Sequence, residues 1–150
     1  MFLCSFVVQV FLTGCRTVAP LPPANLAEPG WQIRQGQAVW QPNRQSPEIV
    51  GELLVATRSG GEAFVQFTKN PFPFAVARTT TNSWQAEFPA ANKFYSGHGA
   101  PPARLIWLQL ARWLQNEPLA AKLQATNMDA HRWRLENKSS GEVLEGYFNP

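Results

Sequence analysis

Beyond residue 30, most of the chain alternates between apolar and polar positions, a period of two that is typical of strands with one buried face. Turn-forming residues separate these runs at short intervals, so each run predicts a short strand. Gly60 and Gly61 can adopt positive φ angles and predict a tight hairpin over residues 49–69. The predicted strands cover residues 31–40, 49–57, 62–69, 72–79, 84–88, 128–137 and 142–148. In the fourth of them we expect Phe72, Phe74 and Val76 to share one face.

One segment has helical periodicity instead. Apolar side chains recur every three or four residues over 103–114, which predicts an α-helix. Pro101 and Pro102 precede this helix, and Asn116 with Pro118 is expected to end it. Several antiparallel strands with one helix predict an α+β fold, in which a curved antiparallel sheet, a half-barrel, packs on one main helix.

The first fifteen residues carry the clearest motif. Residues 2–12 are mainly apolar, and Leu12, Thr13 and Gly14 lead directly into Cys15. This order resembles the lipobox of bacterial lipoproteins. The resemblance implies that residues 1–14 are a signal peptide and that Cys15 becomes a lipidated N-terminus. The alternative is that residues 1–14 form a buried strand or helix of the folded domain.

The lipoprotein interpretation has consequences for compartment and chemistry. Arg16 follows the cysteine, and by the same resemblance the absence of aspartate there favours the outer membrane, facing the periplasm. Cys4 and Cys15 are the only cysteines, so the mature domain would have no disulfide and no thiolate metal cluster.

The folded part is predicted to begin after a linker. Residues 15–30 contain Pro20, Pro22, Pro23 and Pro29 and have no periodic apolar pattern, so they predict a semi-extended tether. Removing residues 1–14 from a chain of 150 leaves enough sequence for a single domain, which we place at 31–150.

Charge and motifs exclude several function classes. The net charge is only +3 and the basic residues are scattered, which argues against a nucleic-acid partner, although a basic surface could lie near anionic lipid head groups. Ser96 and His98 are close in sequence, but the pattern of a glycine-flanked nucleophile is missing, and we interpret His98 as part of a loop. No cofactor or metal motif occurs, so we predict a protein that is not an enzyme. A hydrolase whose carboxylates are brought together by folding is the remaining catalytic alternative.

Large aromatic side chains are abundant, with six Trp and ten Phe in the whole chain. They either fill a solid core or line an apolar cavity that accepts an acyl chain, and sequence does not separate these two interpretations. The candidate ligand-binding residues are Phe64, Phe67, Phe74, Trp84, Phe88, Trp107, Leu110 and Trp113.

The order of these segments is similar to that of the LolB-like outer-membrane lipoprotein receptors. Local features that resemble the family are Trp31 at the start of the domain, Gly51-Glu52-Leu53 in a strand, and Pro71-Phe72-Pro73 ahead of Trp84. The resemblance implies a half-barrel with an apolar cavity that receives lipoprotein acyl chains from a periplasmic carrier. We therefore expect an outer-membrane-anchored protein that binds lipid or acyl chains. The alternative is a non-catalytic envelope lipoprotein that docks a protein partner.

Overall fold

The computed structural model describes residues 19–150, which form one nine-stranded antiparallel sheet. The predicted signal peptide 1–14 and Cys15 lie outside the described residues. The strands are β1 (Gln32–Gln41), β2 (Ile49–Arg58), β3 (Glu62–Lys69), β4 (Phe72–Thr79), β5 (Ser83–Phe88), β6 (Lys93–His98), β7 (Leu123–Asn127), β8 (Arg132–Asn137) and β9 (Val143–Phe148), with helix α1 (Ile106–Leu114) between β6 and β7. The order across the sheet is β6-β5-β4-β3-β2-β1-β9-β8-β7, so the first and last strands pair in its middle.

The α+β class predicted from the sequence is wrong. The described chain is mainly β, with nine strands and one short α-helix rather than a half-barrel packed on one main helix. The helix is shorter than predicted because Leu105, with φ −103° and ψ 78°, is not helical. Its backbone N–H donates to the carbonyl of Pro102 at 3.1 Å, which closes a turn immediately before α1.

Two strands in segments that the sequence analysis did not assign to the sheet also change the class. Strand β6 pairs with β5, and β7 pairs with β8, so these two strands are the edges of the sheet. Both are short and carry small or polar residues, which hides the alternation that predicts a strand. Each nevertheless forms a ladder because its neighbour supplies the hydrogen-bonding partners.

The remaining elements follow the predicted pattern closely. The hairpin of β2 and β3 is confirmed, with Gly60 at φ 85° and Gly61 at φ 78° in its turn. The hairpin of β8 and β9 is also confirmed. Asn116 adopts a φ of 59° just after α1, which is the left-handed conformation that ends helices. Residues 128–131 form a turn ahead of β8 instead of extending that strand, because the Asp129 carboxylate accepts hydrogen bonds from the backbone of His131 and Arg132.

Helix α1 covers one face of the sheet, which we call the inner face. The cross-strand register brings Leu53, Phe67 and Ala75 into line on this face, and all three are buried. Ile106, Trp107 and Leu110 from α1 pack there, along with Trp133 and Leu144 from the last hairpin. The core is therefore a layer of large helix and strand side chains between α1 and the sheet.

Glycines on the inner face make room for aromatic rings. Gly97 pairs directly with Trp84, and a Cβ placed at Gly97 would lie 2.5 Å from the Trp84 ring. Gly146 pairs with Trp133 in the same way, with a ring atom 2.7 Å from such a Cβ. Each indole therefore lies flat over the strand beside it, in space that only a glycine leaves open.

A bulge in β4 overturns one predicted pattern. The pairing of β3 with β4 shifts register between Phe67 and Thr68, so Phe74 is the extra residue beside Ala75. Phe74 contacts the core, with its ring centroid 6.5 Å from that of Phe67, whereas Val76 pairs with Gln66 and alternates with the buried Ala75 and Ala77, which places Val76 on the other face. The expectation that Phe72, Phe74 and Val76 share one face is therefore wrong, because the bulge breaks the period of two.

The N-terminal part of the described chain contacts the outer face of the sheet. The backbone N–H of Leu21 donates to the Gln85 side chain at 2.7 Å. The Arg78 guanidinium donates to the carbonyls of Leu21, at 3.2 Å, and Pro22. Further along, Arg58 donates to Glu28 at 2.9 Å. The described part of the predicted tether, 19–30, is thus held against the sheet by named hydrogen bonds.

Candidate functional site

An apolar pocket of about 460 Å³ opens at one end of the inner face. Its walls come from separated parts of the chain: strands β1, β4 and β5, the short 3-10 turn Pro89–Ala91, strand β6, the loop before α1, and the turn before β9. The lining residues are Trp40, Phe74, Phe88, Ala90, Ala91, Lys93, Tyr95, Arg104, Leu105 and Glu142.

The solvent exposure of the lining residues differs between the two ends of the pocket. Trp40, Leu105 and Glu142 are each 9% exposed or less and form the deep end. Lys93 and Arg104 are exposed and form the mouth, together with the alanines of the 3-10 turn. A ligand entering this pocket would therefore meet two cations first and apolar surface afterwards.

Aromatic rings form a continuous wall from the mouth to the deep end. Tyr95 meets Phe88 edge-on at 6.2 Å, and Phe88 lies nearly parallel to Trp40 at 6.0 Å between ring centroids. Phe74 completes the wall, 6.1 Å from Trp40. The sheet register explains part of this arrangement, because Phe88 pairs with Lys93 and Ala86 pairs with Tyr95, so Lys93 and Tyr95 face the same side as Phe88.

Glu142 is the polar group of the deep end. Its Oε1 accepts a hydrogen bond from Nε1 of Trp40 at 2.9 Å. Burial raises the pKa of Glu142 to about 7, although the Trp40 hydrogen bond acts in the opposite direction by favouring the charged form. No basic side chain of residues 19–150 forms a salt bridge with Glu142. Near neutral pH this carboxyl therefore exists as both the acid and the carboxylate.

The mouth is cationic. The guanidinium carbon of Arg104 lies 5.0 Å from the centroid of the Tyr95 ring, a cation–π contact that holds the side chain over the entrance. Neither Lys93 nor Arg104 forms a salt bridge with an acidic residue in the part of the chain that the structure describes. Their charges are therefore available to a ligand.

The candidate binding residues named from the sequence are divided between the pocket and the solid core. Phe74 and Phe88 line the pocket. Phe67, Trp107 and Leu110 are almost completely buried behind it, with Trp107 stacked on Phe67 at 4.8 Å and 5.5 Å from Trp40. These three residues support the wall from behind and have no surface on the pocket.

The other three candidates lie elsewhere. Trp84 covers Gly97, and Trp113 packs 6.2 Å from Trp133, so both fill the core away from the pocket. Phe64 alternates with the buried Ala63 and Val65 and pairs with Arg78, which places it on the outer face. The fold thus brings together two of the eight named side chains at the pocket surface.

Sequence reasoning missed the pocket residues Trp40, Lys93, Tyr95, Arg104 and Glu142. Lys93 and Tyr95 lie in β6, whose strand character was not recognised, and Glu142 follows a turn far along the chain. The sequence of β6 carries little signal of a strand, because polar and aromatic side chains occur on both of its faces.

His98 is not in a loop, contrary to our prediction, but is the last residue of β6. Its Nδ1 lies 3.1 Å from Oγ of Ser83, its cross-strand partner, and not beside Ser96. The pair is exposed, and no acidic side chain forms a salt bridge with His98 within residues 19–150. This contact lacks the third group that orients a catalytic base, so it carries no catalytic proposal.

Two kinds of feature are absent from residues 19–150, a cluster of metal ligands and a membrane-spanning helix. No group of three or more His, Cys, Asp and Glu side chains in residues 19–150 is arranged to hold a metal ion. No helix within the same residues has both the length and the apolar character needed to cross a membrane.

A scan against protein-family models found no match to this chain, and a search of curated proteins found no match either. The functional conclusion is accordingly drawn from the geometry of the pocket.

Proposed function

We propose that this protein binds the acyl chain of a lipid or lipoprotein in the pocket between Trp40 and Tyr95. The observation that carries the proposal is the continuous aromatic wall along one side of a 460 Å³ cavity. This volume falls within the range of roughly 300–1,000 Å³ that is typical of small-molecule sites. Ligand sites of this kind are mainly apolar with a few polar groups, and the lining has that composition.

Transfer of the chain out of water supplies the driving force. Each buried methylene contributes roughly 0.8 kcal/mol, so a chain segment of about eight methylenes gains about 6 kcal/mol before the entropy lost on association is subtracted. The rings are already in contact with one another and with the core, so the wall is preformed and little ordering is needed on binding. Binding at this site involves no bond making or breaking.

The same proposal includes the cellular setting. Lipidation of Cys15 would anchor the protein to the outer membrane, facing the periplasm, and acyl chains would arrive from a periplasmic carrier. Transfer onto the receptor requires only that the pocket binds the chain more tightly than the carrier does. Mass spectrometry of the mature protein tests the anchor, because a mature chain that begins at Cys15 and carries acyl mass is expected. An uncut chain with an unmodified thiol would refute this part.

Chain binding is tested with the full chain and a dansyl-labelled undecanoic acid. We expect a saturable rise in dansyl emission. Ala91→Phe places a ring in the mouth of the pocket at an exposed position and should weaken binding about tenfold or more, equivalent to about 1.4 kcal/mol. Ala121→Phe makes the same change at an exposed position that does not line the pocket, and should leave binding unchanged.

Two results would contradict the proposal. The first is the absence of saturable binding to the unmodified chain. The second is equal binding by the two alanine variants, because the probe would then occupy some other surface.

A further inference from the structure

We propose that the pocket selects single-chain amphiphiles with an anionic head group, whose carboxylate or phosphate lies between Lys93 and Arg104 while the chain runs inward along the aromatic wall. This inference rests on the proposed function, because it assigns the head-group chemistry of the same ligand.

The two cations of the mouth come from different elements, Lys93 from β6 and Arg104 from the loop before α1. Lys93 and Tyr95 are two residues apart in β6 and face the same side, which separates them by about 7 Å along the strand. Arg104 reaches the same place from the loop before α1, with its guanidinium over the Tyr95 ring. Because Lys93 and Arg104 line the same pocket and both are exposed at its mouth, one carboxylate or phosphate group placed there can accept hydrogen bonds from both. The planar guanidinium is already oriented by stacking, so less side-chain freedom is lost when it binds an anion.

The deep end sets the direction of the ligand. Glu142 is buried beside Trp40, so an anionic head placed there would lose its water and approach another acidic group. An alkyl chain placed there meets rings and Leu105 instead. We therefore expect the anionic head group to lie at the mouth beside the two cations and the alkyl chain to lie in the apolar interior.

A cationic amphiphile fits less well. Its head at the mouth would face Lys93 and Arg104, and like charges at close range are unfavourable. To reach Glu142, the cation would have to lose its water and pass the two basic residues. A neutral head would gain neither attraction nor repulsion at the mouth.

Three probes with the same twelve-carbon chain separate these cases: laurate, monolauroylglycerol and dodecyltrimethylammonium. Each is titrated below its micelle concentration into the full chain by calorimetry. We expect laurate to bind about tenfold or more tightly than the neutral probe, and the cationic probe to bind most weakly. The preference for laurate should fall as salt is added, because the mouth is exposed to solvent. Inorganic phosphate alone should not displace laurate, since the chain supplies most of the affinity.

The double variant Lys93→Gln with Arg104→Gln should lower laurate affinity about tenfold or more and should lower monolauroylglycerol affinity much less, so that the preference for laurate is lost. The matched control is Lys122→Gln with Arg34→Gln. It removes the same charge, and Arg34 also lies over an aromatic ring, that of Phe148 at 5.7 Å, outside the pocket. If all three probes bind equally, or if the control lowers laurate affinity as much, the head-group assignment is wrong while chain binding stands. If no probe binds, the proposed function fails with it.

Discussion

Replacing the Glu142 side chain by a glutamine side chain should remove a pH-dependent penalty on folding. The folded protein holds the pKa of Glu142 at about 7, against 4.5 for an ordinary glutamate, because the carboxyl is buried. One pH unit of difference corresponds to about 1.36 kcal/mol. The ionised carboxylate therefore destabilises the fold by about 3 kcal/mol once the pH is above 7. The amide introduced by Glu142→Gln would be neutral at every pH and could still accept the Trp40 hydrogen bond.

The sign of the pH dependence follows from proton binding. Below about pH 4.5 the carboxyl is protonated in both the folded and unfolded states, so Glu142 contributes no penalty. Between 4.5 and 7 the unfolded chain has lost the proton while the folded protein keeps it, and the free energy of unfolding falls as pH rises. Above 7 both states are ionised and the penalty is constant. The other ionisable groups of the pocket, Lys93, Tyr95 and Arg104, are present in both proteins and cancel in the comparison.

The assay is urea unfolding of the unmodified chain and of Glu142→Gln at about pH 5 and about pH 8. Tryptophan emission is the signal that monitors unfolding. We expect the variant to be more stable by only about 1 kcal/mol at the lower pH, where few folded molecules but most unfolded chains have lost the proton, and by about 3 kcal/mol at the higher pH. Glu136→Gln is the matched control, since Glu136 forms salt bridges at the surface and should not reproduce this gain. Equal stability differences at the two pH values would refute the burial of an ionisable Glu142.

Two further substitutions test individual contacts that stabilise the folded structure. Gly97→Ala places a Cβ about 2.5 Å from the Trp84 ring and should lower the free energy of unfolding by roughly 1–3 kcal/mol. Thermal unfolding measures this, and a much smaller loss in a Trp84→Leu background is expected; an equal loss there would show that the ring is not the obstacle. Arg78→Lys cannot donate to the Leu21 and Pro22 carbonyls with the same planar group, so proteolysis within residues 19–30 should become faster. An unchanged cleavage rate would mean that Arg78 does not hold this segment.

Local pattern predicted much of the sheet. The hairpin of β2 and β3 was predicted because Gly60 and Gly61 separate two runs of alternating apolar and polar residues. The two strands are adjacent in sequence, so the turn between them sets their register. The left-handed Asn116 that follows α1 is likewise a local signal. The alternation of Trp133 with Leu135 in β8 correctly indicated a buried face. In each case the determining interactions lie within a few residues along the chain.

Errors arose where a distant partner overrides the local pattern. Strand β6 exists because β5 pairs with it, although its own residues alternate weakly. The face of Phe74 depends on a bulge that only the pairing of β3 with β4 produces. The missed strands β6 and β7, together with a helix predicted too long, led to the α+β prediction.

The amino-acid order alone carries the turn glycines, the strand periodicity and the aromatic content, because each of these depends on neighbouring residues or on simple composition. Which aromatic rings line a pocket and which fill the core depended on the assembled sheet. Trp40 and Glu142 are 102 positions apart in sequence yet share a hydrogen bond, and Lys93 and Arg104 line one pocket only because β6 joins the edge of the sheet. Packing of separated segments creates such a site, since burial, charge and cavity shape all arise from contacts that no local pattern contains.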